Sequence, residues 1–399
     1  MFYEIKFDNS IVSNDNKYNY TIIDAKTKKI KFIGKYRNHA PSYGKIFVGN
    51  KYYEGEILNG KANGKGIVKY NNEHTSNIIY EGEFKNGLYH GVGHIKNKDY
   101  EYIGEFMNGK KNGKGKYKTY NGLYYEGGYY DDLYHGCGIL QKKNVIYEGE
   151  FHHGKFQGKG KFISKNEYYE GDFYENFYNG YGKLVVYKNF HNEIESIYEG
   201  MFIDGYYQGY GKYATENSLY EGNFNLGVYD GKGIIKYNEN NVSCSVNFIN
   251  GKKNGFATIY MNDIFKNKKT LIKMEGYFEN DLPIKNFKIF KNNALKYVGQ
   301  INEKFLPEGR GIYYKKNLLN ISGTFHNGYL EGYGIMKYED EIIYIGDFYK
   351  NKFFGEGILY KIDGIYECEF YNGLMNGYGV VKYYNGNINK YYFVNDKQL

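Results

Sequence analysis

The sequence predicts an all-β fold, an elongated single-sheet solenoid of stacked antiparallel hairpins, and three observations carry that prediction. One short pattern recurs along nearly the whole chain, the glycine and tyrosine usage is unlike that of an ordinary globular domain, and the pattern has the alternation and the turn dipeptide of a two-stranded hairpin. The 399 residues include 53 Gly, 52 Tyr and 27 Phe but only 3 Pro and no Trp. A periodic demand for glycine and tyrosine explains this usage more simply than two or three conventional domains do.

The clearest unit is YEGEFKNGLYHGVGHI, from Tyr80 to Ile95. In a strand, alternation places Tyr80, Gly82 and Phe84 on one face and Glu81 and Glu83 on the other. With Gly87 in an Asn-Gly turn spanning Lys85 to His90, Tyr80 falls opposite Ile95, Gly82 opposite Gly93 and Phe84 opposite Gly91. The paired glycines leave hollows in the pleated surface into which aromatic rings can lie. The same landmarks recur at Tyr147, Gly149, Phe151, Gly154, Gly158 and Gly160, and at Tyr220, Gly222, Phe224, Gly227, Gly231 and Gly233.

Clear units start at Tyr53, Tyr80, Tyr102, Tyr125, Tyr147, Tyr169, Tyr198, Tyr220, Tyr297, Tyr344 and Tyr366. Weaker ones start at Tyr3, Phe32, Cys244, Met274 and Ile321, and a half unit starts at Asn389. A lone hairpin is marginal in water, so each unit must be stabilised by its neighbours, giving a long, twisted, nearly one-dimensional sheet with one aromatic face. On the other face the register sets Glu56 against Lys65, Glu150 against Lys159 and Glu148 against Lys161, exposed pairs worth about 0.2–1 kcal/mol each.

The units organise the chain into an atypical N-terminal capping repeat at 1–31, a repeat array at 32–243, degenerate repeats at 244–290, and a second array at 291–399 ending in the half repeat. In the degenerate stretch Val246 and Ala257 replace glycines and Pro283 enters a turn, which should bend the array and interrupt exposed ladder pairing. The segment Lys390–Val394 reads as a last strand with no partner beyond it, and so as an edge for an antiparallel homodimer.

Several chemistries are excluded. The motif G-x-x-x-x-G-K recurs at Gly55–Lys61, Gly104–Lys110 and Gly149–Lys155, but Ala62, Lys111 and Phe156 stand where a phosphate-binding loop needs Ser or Thr. His90 and His135 share a turn position that holds Asn112, Gln157, Asn179 or Gln208 in other units, a hydrogen-bonding role. His152 and His153 are adjacent and would point to opposite faces in a strand, with no third ligand at metal-binding spacing. No catalytic, cofactor or metal site is therefore expected. Cys137, Cys244 and Cys368 lie in separate repeats and suggest a reducing, cytoplasmic compartment. The net charge of +8 comes from interleaved Lys and Glu, which argues against nucleic acid as a partner. The mean hydropathy of −0.71 and the lack of any long apolar run leave only peripheral membrane contact.

The landmarks Y-E-G-E-F-x-N-G followed by G-x-G, repeated as YEGEFHHGKFQGKG from Tyr147 and YEGNFNLGVYDGKG from Tyr220, resemble membrane occupation and recognition nexus (MORN) repeats over roughly residues 32–396. The resemblance implies a non-catalytic scaffold linking cytoskeletal or membrane-associated protein partners. Its alternatives are a peripheral phosphoinositide-binding module and a regulatory subunit for a separate enzyme such as a lipid kinase. The candidate partner face is the row of turn aromatics, Tyr89, Tyr134, Phe156, Tyr178, Tyr207 and Tyr229, with Phe353. The candidate contacts for anionic phospholipid head groups are two clusters, Lys26, Lys28, Lys29 and Lys31, and Lys266, Lys268 and Lys269.

Overall fold

The computed structural model describes residues 3–6, 10–16, 19–71, 78–188, 193–239, 241–262, 271–315 and 318–398. Over these residues the chain forms 34 β-strands and no helix. It divides into two compact units, the first Met1–Glu195 with Met201–Gly205, the second Ser196–Gly200 with Tyr206–Leu399. Inside each unit, strands consecutive in the chain pair antiparallel, hairpin after hairpin, as in Ile78–Lys85 with Leu88–Lys96 and then Leu88–Lys96 with Tyr100–Met107. The fold is the all-β, single-sheet stack of hairpins that the repeat predicts.

The register agrees with the sequence at the open end of each hairpin and departs from it near the turn. Tyr80 pairs with Ile95 and Gly82 with Gly93, as expected, but Phe84 pairs with Tyr89 and Gly91 pairs with Phe106 of the next hairpin. The cause is a tighter turn than the six residues assumed. Asn86 and Gly87 have φ of 51° and 86°, a two-residue left-handed turn, which pairs Lys85 with Leu88 at once. A bulge at Gly91 and Val92 then restores the Gly82–Gly93 pairing, and Gly91 has φ 57° because it forms that bulge.

The bulge redirects the glutamates. Glu150 Oε1 accepts a hydrogen bond from the backbone N–H of Lys159 at 3.2 Å, and Glu105 Oε1 does the same for Lys114 at 3.1 Å. The expected pairs Glu56–Lys65 and Glu150–Lys159 are therefore not ladder pairs: Lys65 pairs with Glu83, and Lys159 pairs with Asp172, Nζ to Oδ1 2.7 Å. Glu148 does pair with Lys161.

The turns are joined in a row of their own. The N–H of the second turn residue donates to the carbonyl of the aromatic in the preceding turn, as from Gly109 to Tyr89 at 2.9 Å and from Gly154 to Tyr134 at 2.8 Å. Where Asp or Asn replaces that glycine, its side chain returns a bond, Asp132 Oδ1 accepting from Lys111 N at 2.9 Å and Asn176 Oδ1 from Phe156 N at 2.9 Å. Both residue types tolerate the left-handed conformation, so these turns dispense with glycine.

Three further expectations are corrected. Tyr3 does not start a hairpin: its N–H donates to the Gly87 carbonyl and its carbonyl accepts from Ala62, so the segment straps two turns. Its fully buried ring packs between Tyr53 and Phe84, filling the place where Ala62 offers no ring. The degenerate stretch keeps its ladder, from Val242–Ile249 through Lys252–Asn262, Leu271–Glu279 and Leu282–Lys291 to Ala294–Ile301. It can do so because Cys244, Ala257 and Phe287 are buried, and Phe287 lays its ring against Gly276 from the opposing strand. Finally, Ile388–Val394 has a partner beyond it, Lys397–Gln398, which pairs with Phe393 and Val394.

Candidate interaction surface

Each regular hairpin contributes three rings to one face. The starting tyrosine lies flat in the glycine hollow and is fully buried at Tyr80, Tyr102, Tyr125, Tyr147, Tyr169 and Tyr220. Its hydroxyl donates to a carbonyl freed by the bulge, as from Tyr80 to Glu83 at 2.8 Å, Tyr147 to Glu150 at 2.8 Å and Tyr220 to Asn223 at 2.9 Å. The phenylalanine of its own strand and that of the next hairpin stand edge-on to it, as Phe151 and Phe173 do to Tyr147 at 5.0 and 5.1 Å.

The turn aromatics complete this layer. Tyr89 stacks on Tyr80 at 3.8 Å, Tyr134 on Tyr125 at 3.8 Å, Phe156 on Tyr147 at 3.7 Å and Tyr178 on Tyr169 at 3.8 Å in the first unit. In the second, Tyr207 stacks on Tyr198, Tyr229 on Tyr220 and Phe353 on Tyr344, each at 3.8 Å. All seven are half-buried, with one ring face against the core tyrosine, and Tyr89 also meets the Tyr3 ring at 6.4 Å. Within each unit, the predicted partner-face residues are thus each locked by stacking on the starting tyrosine of their own hairpin.

Elsewhere that turn position holds other residues. Lys111 sits among rings, its Nζ 4.7 Å from the Tyr117 centroid and 5.2 Å from that of Tyr102, and burial pushes its ammonium below the usual lysine range. In the second unit three successive hairpins carry Pro283, Pro307 and Leu330 there, with Met274, Tyr297 and Ile321 as starting residues. Without stacked rings the face opens into a cavity of about 550 Å³, walled by Met274, Tyr297, Ile321 and Phe325 and rimmed by Lys291, Lys296, Lys304 and Lys315. No Asp or Glu lines it among the described residues. Sequence reading missed this cavity, although the loss of the turn aromatic in four consecutive units, from Lys253 to Leu330, was a visible signal.

Of the lysine clusters, Lys26, Lys28 and Lys29 are exposed at a turn, while Lys31 is tied to Asp24 at 3.3 Å and to the Lys6 carbonyl at 2.9 Å. Lys266, Lys268 and Lys269 lie outside the described residues. The G-x-x-x-x-G-K stretches run from strand through tight turn to strand, as Lys51–Leu58 into Lys61–Tyr70, with no helix N-terminus to hold a phosphate. His135, His152 and His153 come together across two adjacent turns, their ligand atoms within 4.8 Å of one another. The third ligand, His135, was missed because it lies in the neighbouring hairpin, 17 residues from His152; His153 for its part is not in a strand, its φ of 48° placing it in the turn.

No curated protein matches the chain at a significant level. The family model described as the MORN repeat matches at 53–75, 80–99, 102–124, 125–144, 147–167, 169–185, 198–218, 220–242, 322–341, 344–365 and 366–388. Ten of these segments coincide with clear units of the sequence reading; the eleventh falls on the weak unit at Ile321, and the unit at Tyr297 is not matched. The matches cover more than half of the residues, and their tyrosines and glycines are those whose stacking builds both ring faces: the chain belongs to the MORN repeat family.

Proposed function

We propose that the protein is a non-catalytic scaffold whose ring face receives protein partners at a membrane or cytoskeletal boundary. One observation carries the reading: the turn rings are held in place by stacking and yet stay part-exposed, so an incoming chain meets rigid aromatic anchors at little entropic cost. Membrane or cytoskeletal association is the setting that MORN repeats indicate in general, and no helix of the described residues is long and apolar enough to cross a membrane. Photo-reactive phenylalanine analogues at Tyr134 and Tyr178 substitute a ring for a ring, and Tyr181, exposed on the opposite face, serves as the control. Cross-links in cells are expected from Tyr134 and Tyr178 and not from Tyr181. The reverse pattern would remove the ring face as the docking surface.

The lysine-rimmed cavity favours a second reading, a site for an anionic amphiphile. Its volume falls in the range of about 300–1,000 Å³ usual for small-molecule sites, and its apolar walls suit a chain while its lysines suit one acidic head. A long-chain carboxylate is expected to bind the full chain and the corresponding alcohol is not. Equal binding of the two, or carboxylate binding unchanged in K296E/K304E, rules this reading out.

A further inference from the structure

We propose that His135, His152 and His153 form a transition-metal site on the turn row of the first unit, taking Zn²⁺, Ni²⁺ or Cu²⁺ through three neutral imidazoles. The first turn residue of a hairpin has an N–H that the preceding hairpin satisfies with a side chain. Asn63 Oδ1 accepts from Asn86 at 3.3 Å, Gln157 Oε1 from Glu175 at 3.4 Å and Gln208 Oε1 from Leu226 at 3.1 Å. His135 occupies the same position ahead of His153, but its Nδ1 is buried and has no hydrogen-bond partner. The ring has the place of a turn cap without doing a cap's work, and a buried polar nitrogen left unpaired in this way calls for an explanation.

A metal supplies one. His152 ends the strand Val145–His152 and His153 opens the turn with φ 48°, which turns the two adjacent rings towards the same neighbour. Ring centroids lie 5.3 Å apart for His135–His152, 5.4 Å for His135–His153 and 4.4 Å for His152–His153. Each offers one ligand nitrogen, all within 4.8 Å of one another. Nitrogens bound at about 2.0–2.1 Å around a tetrahedral ion stand roughly 3.4 Å apart, and rotation of the exposed His152 and His153 side chains closes the difference.

The donor set selects the class of ion. Three imidazoles without a thiolate suit Zn²⁺, Cu²⁺ and Ni²⁺, and offer a hard, oxygen-seeking cation such as Mg²⁺ or Ca²⁺ nothing it prefers. Three protein ligands leave the outward coordination positions to water. The combination is local: at the equivalent positions of the preceding junction stand Asn112, Tyr130 and Asp131, and at the following one Gln157, Tyr174 and Glu175.

The chain also supplies conservative replacements, since Asn occupies each of the three positions somewhere else, at Asn112, Asn225 and Asn86. Full-length, tag-free protein titrated calorimetrically with ZnCl₂ and with NiCl₂ is expected to bind one ion per chain. His135→Asn, His152→Asn and His153→Asn, each checked for parental β-sheet circular dichroism, are each expected to weaken binding by about 100-fold or more, beyond the 10–100-fold cost of losing an outer-shell partner. Absence of saturable binding in the parent overturns the site. So does parental affinity in any one of the three variants, which would reduce it to a surface histidine pair.

Discussion

Raising the pH above about 10, where the phenols of an unfolded chain ionise, is expected to unfold this protein steeply, and the first unit before the second. Tyr53, Tyr80, Tyr102, Tyr125, Tyr147 and Tyr169 of the first unit are fully buried, and burial, the largest cause in each case, pushes their phenols well above the ordinary tyrosine value. In the second unit Tyr220, Tyr297 and Tyr344 are raised for the same reason, and the half-buried Tyr229 is pushed up to about 12. A raised folded-state pKa contributes stability that is fully present below the unfolded value and is lost as pH climbs towards the folded one. Below about 10 both states keep their protons and stability is flat; above it only the unfolded state loses them.

Each such tyrosine takes away about 1.4 kcal/mol per pH unit in that window. With Tyr3, seven of them give the first unit a slope of roughly 10 kcal/mol per pH unit, and four, Tyr229 included, give the second roughly 6. Phenolate absorbance should therefore rise in two stages. The later stage, from the buried tyrosines, is a cooperative step that coincides with loss of β-sheet circular dichroism. Tyr147→Phe should lower the slope for the first unit by one proton. If all tyrosines titrate together near 10 while the sheet persists, the buried-ring layer is wrong.

What the sequence made legible was the part of the unit that repeats with period two. Tyr80, Gly82, Ile95 and Gly93 alternate cleanly, so their face and their pairing could be read directly. The turn half was not legible, because an Asn-Gly dipeptide is compatible with several loop lengths and a bulge adds residues without any change in alternation. Gly91 looked like a third hollow for a ring, when its φ of 57° makes it the hinge of the bulge and Glu83 folds over it. Tyr3 illustrates a different limit. Its local string resembles a unit, yet its position is decided by Ala62, 59 residues away in sequence, which leaves a ring-sized gap. The lysine-rimmed cavity and the three histidines likewise depend on which turns are neighbours, information that lies between units and not within one.

The glycines differ in the same way, and substitution separates them. Gly82→Ala is expected to cost about 3 kcal/mol or more, the upper end of overpacking penalties, because the new Cβ would lie 2.6 Å from the Gly93 Cα, the Val92 carbonyl oxygen and the Tyr80 hydroxyl. Two of those three atoms belong to the backbone of the paired strand and cannot move without opening the ladder; Gly82→Val is worse still. Gly209→Ala is the contrast. Its Cβ meets nothing within 4 Å, but its φ of 63° is left-handed, so the cost is conformational, about 1–2 kcal/mol. Denaturant midpoints rank the two, and hydrogen exchange locates the damage, since in a repeat array the loss should centre on Ile78–Lys96 and fade with distance. The chain contains its own exception, which shows what a tolerated side chain requires. Where Cys368 replaces this glycine opposite Gly379, the Tyr366 hydroxyl bonds to Asp363 Oδ2 at 2.7 Å instead of the carbonyl that its counterparts reach. A Gly82→Ala protein that unfolds at the parental midpoint, or a Gly209→Ala protein that loses more than Gly82→Ala, would show that the ring does not fill the glycine hollow.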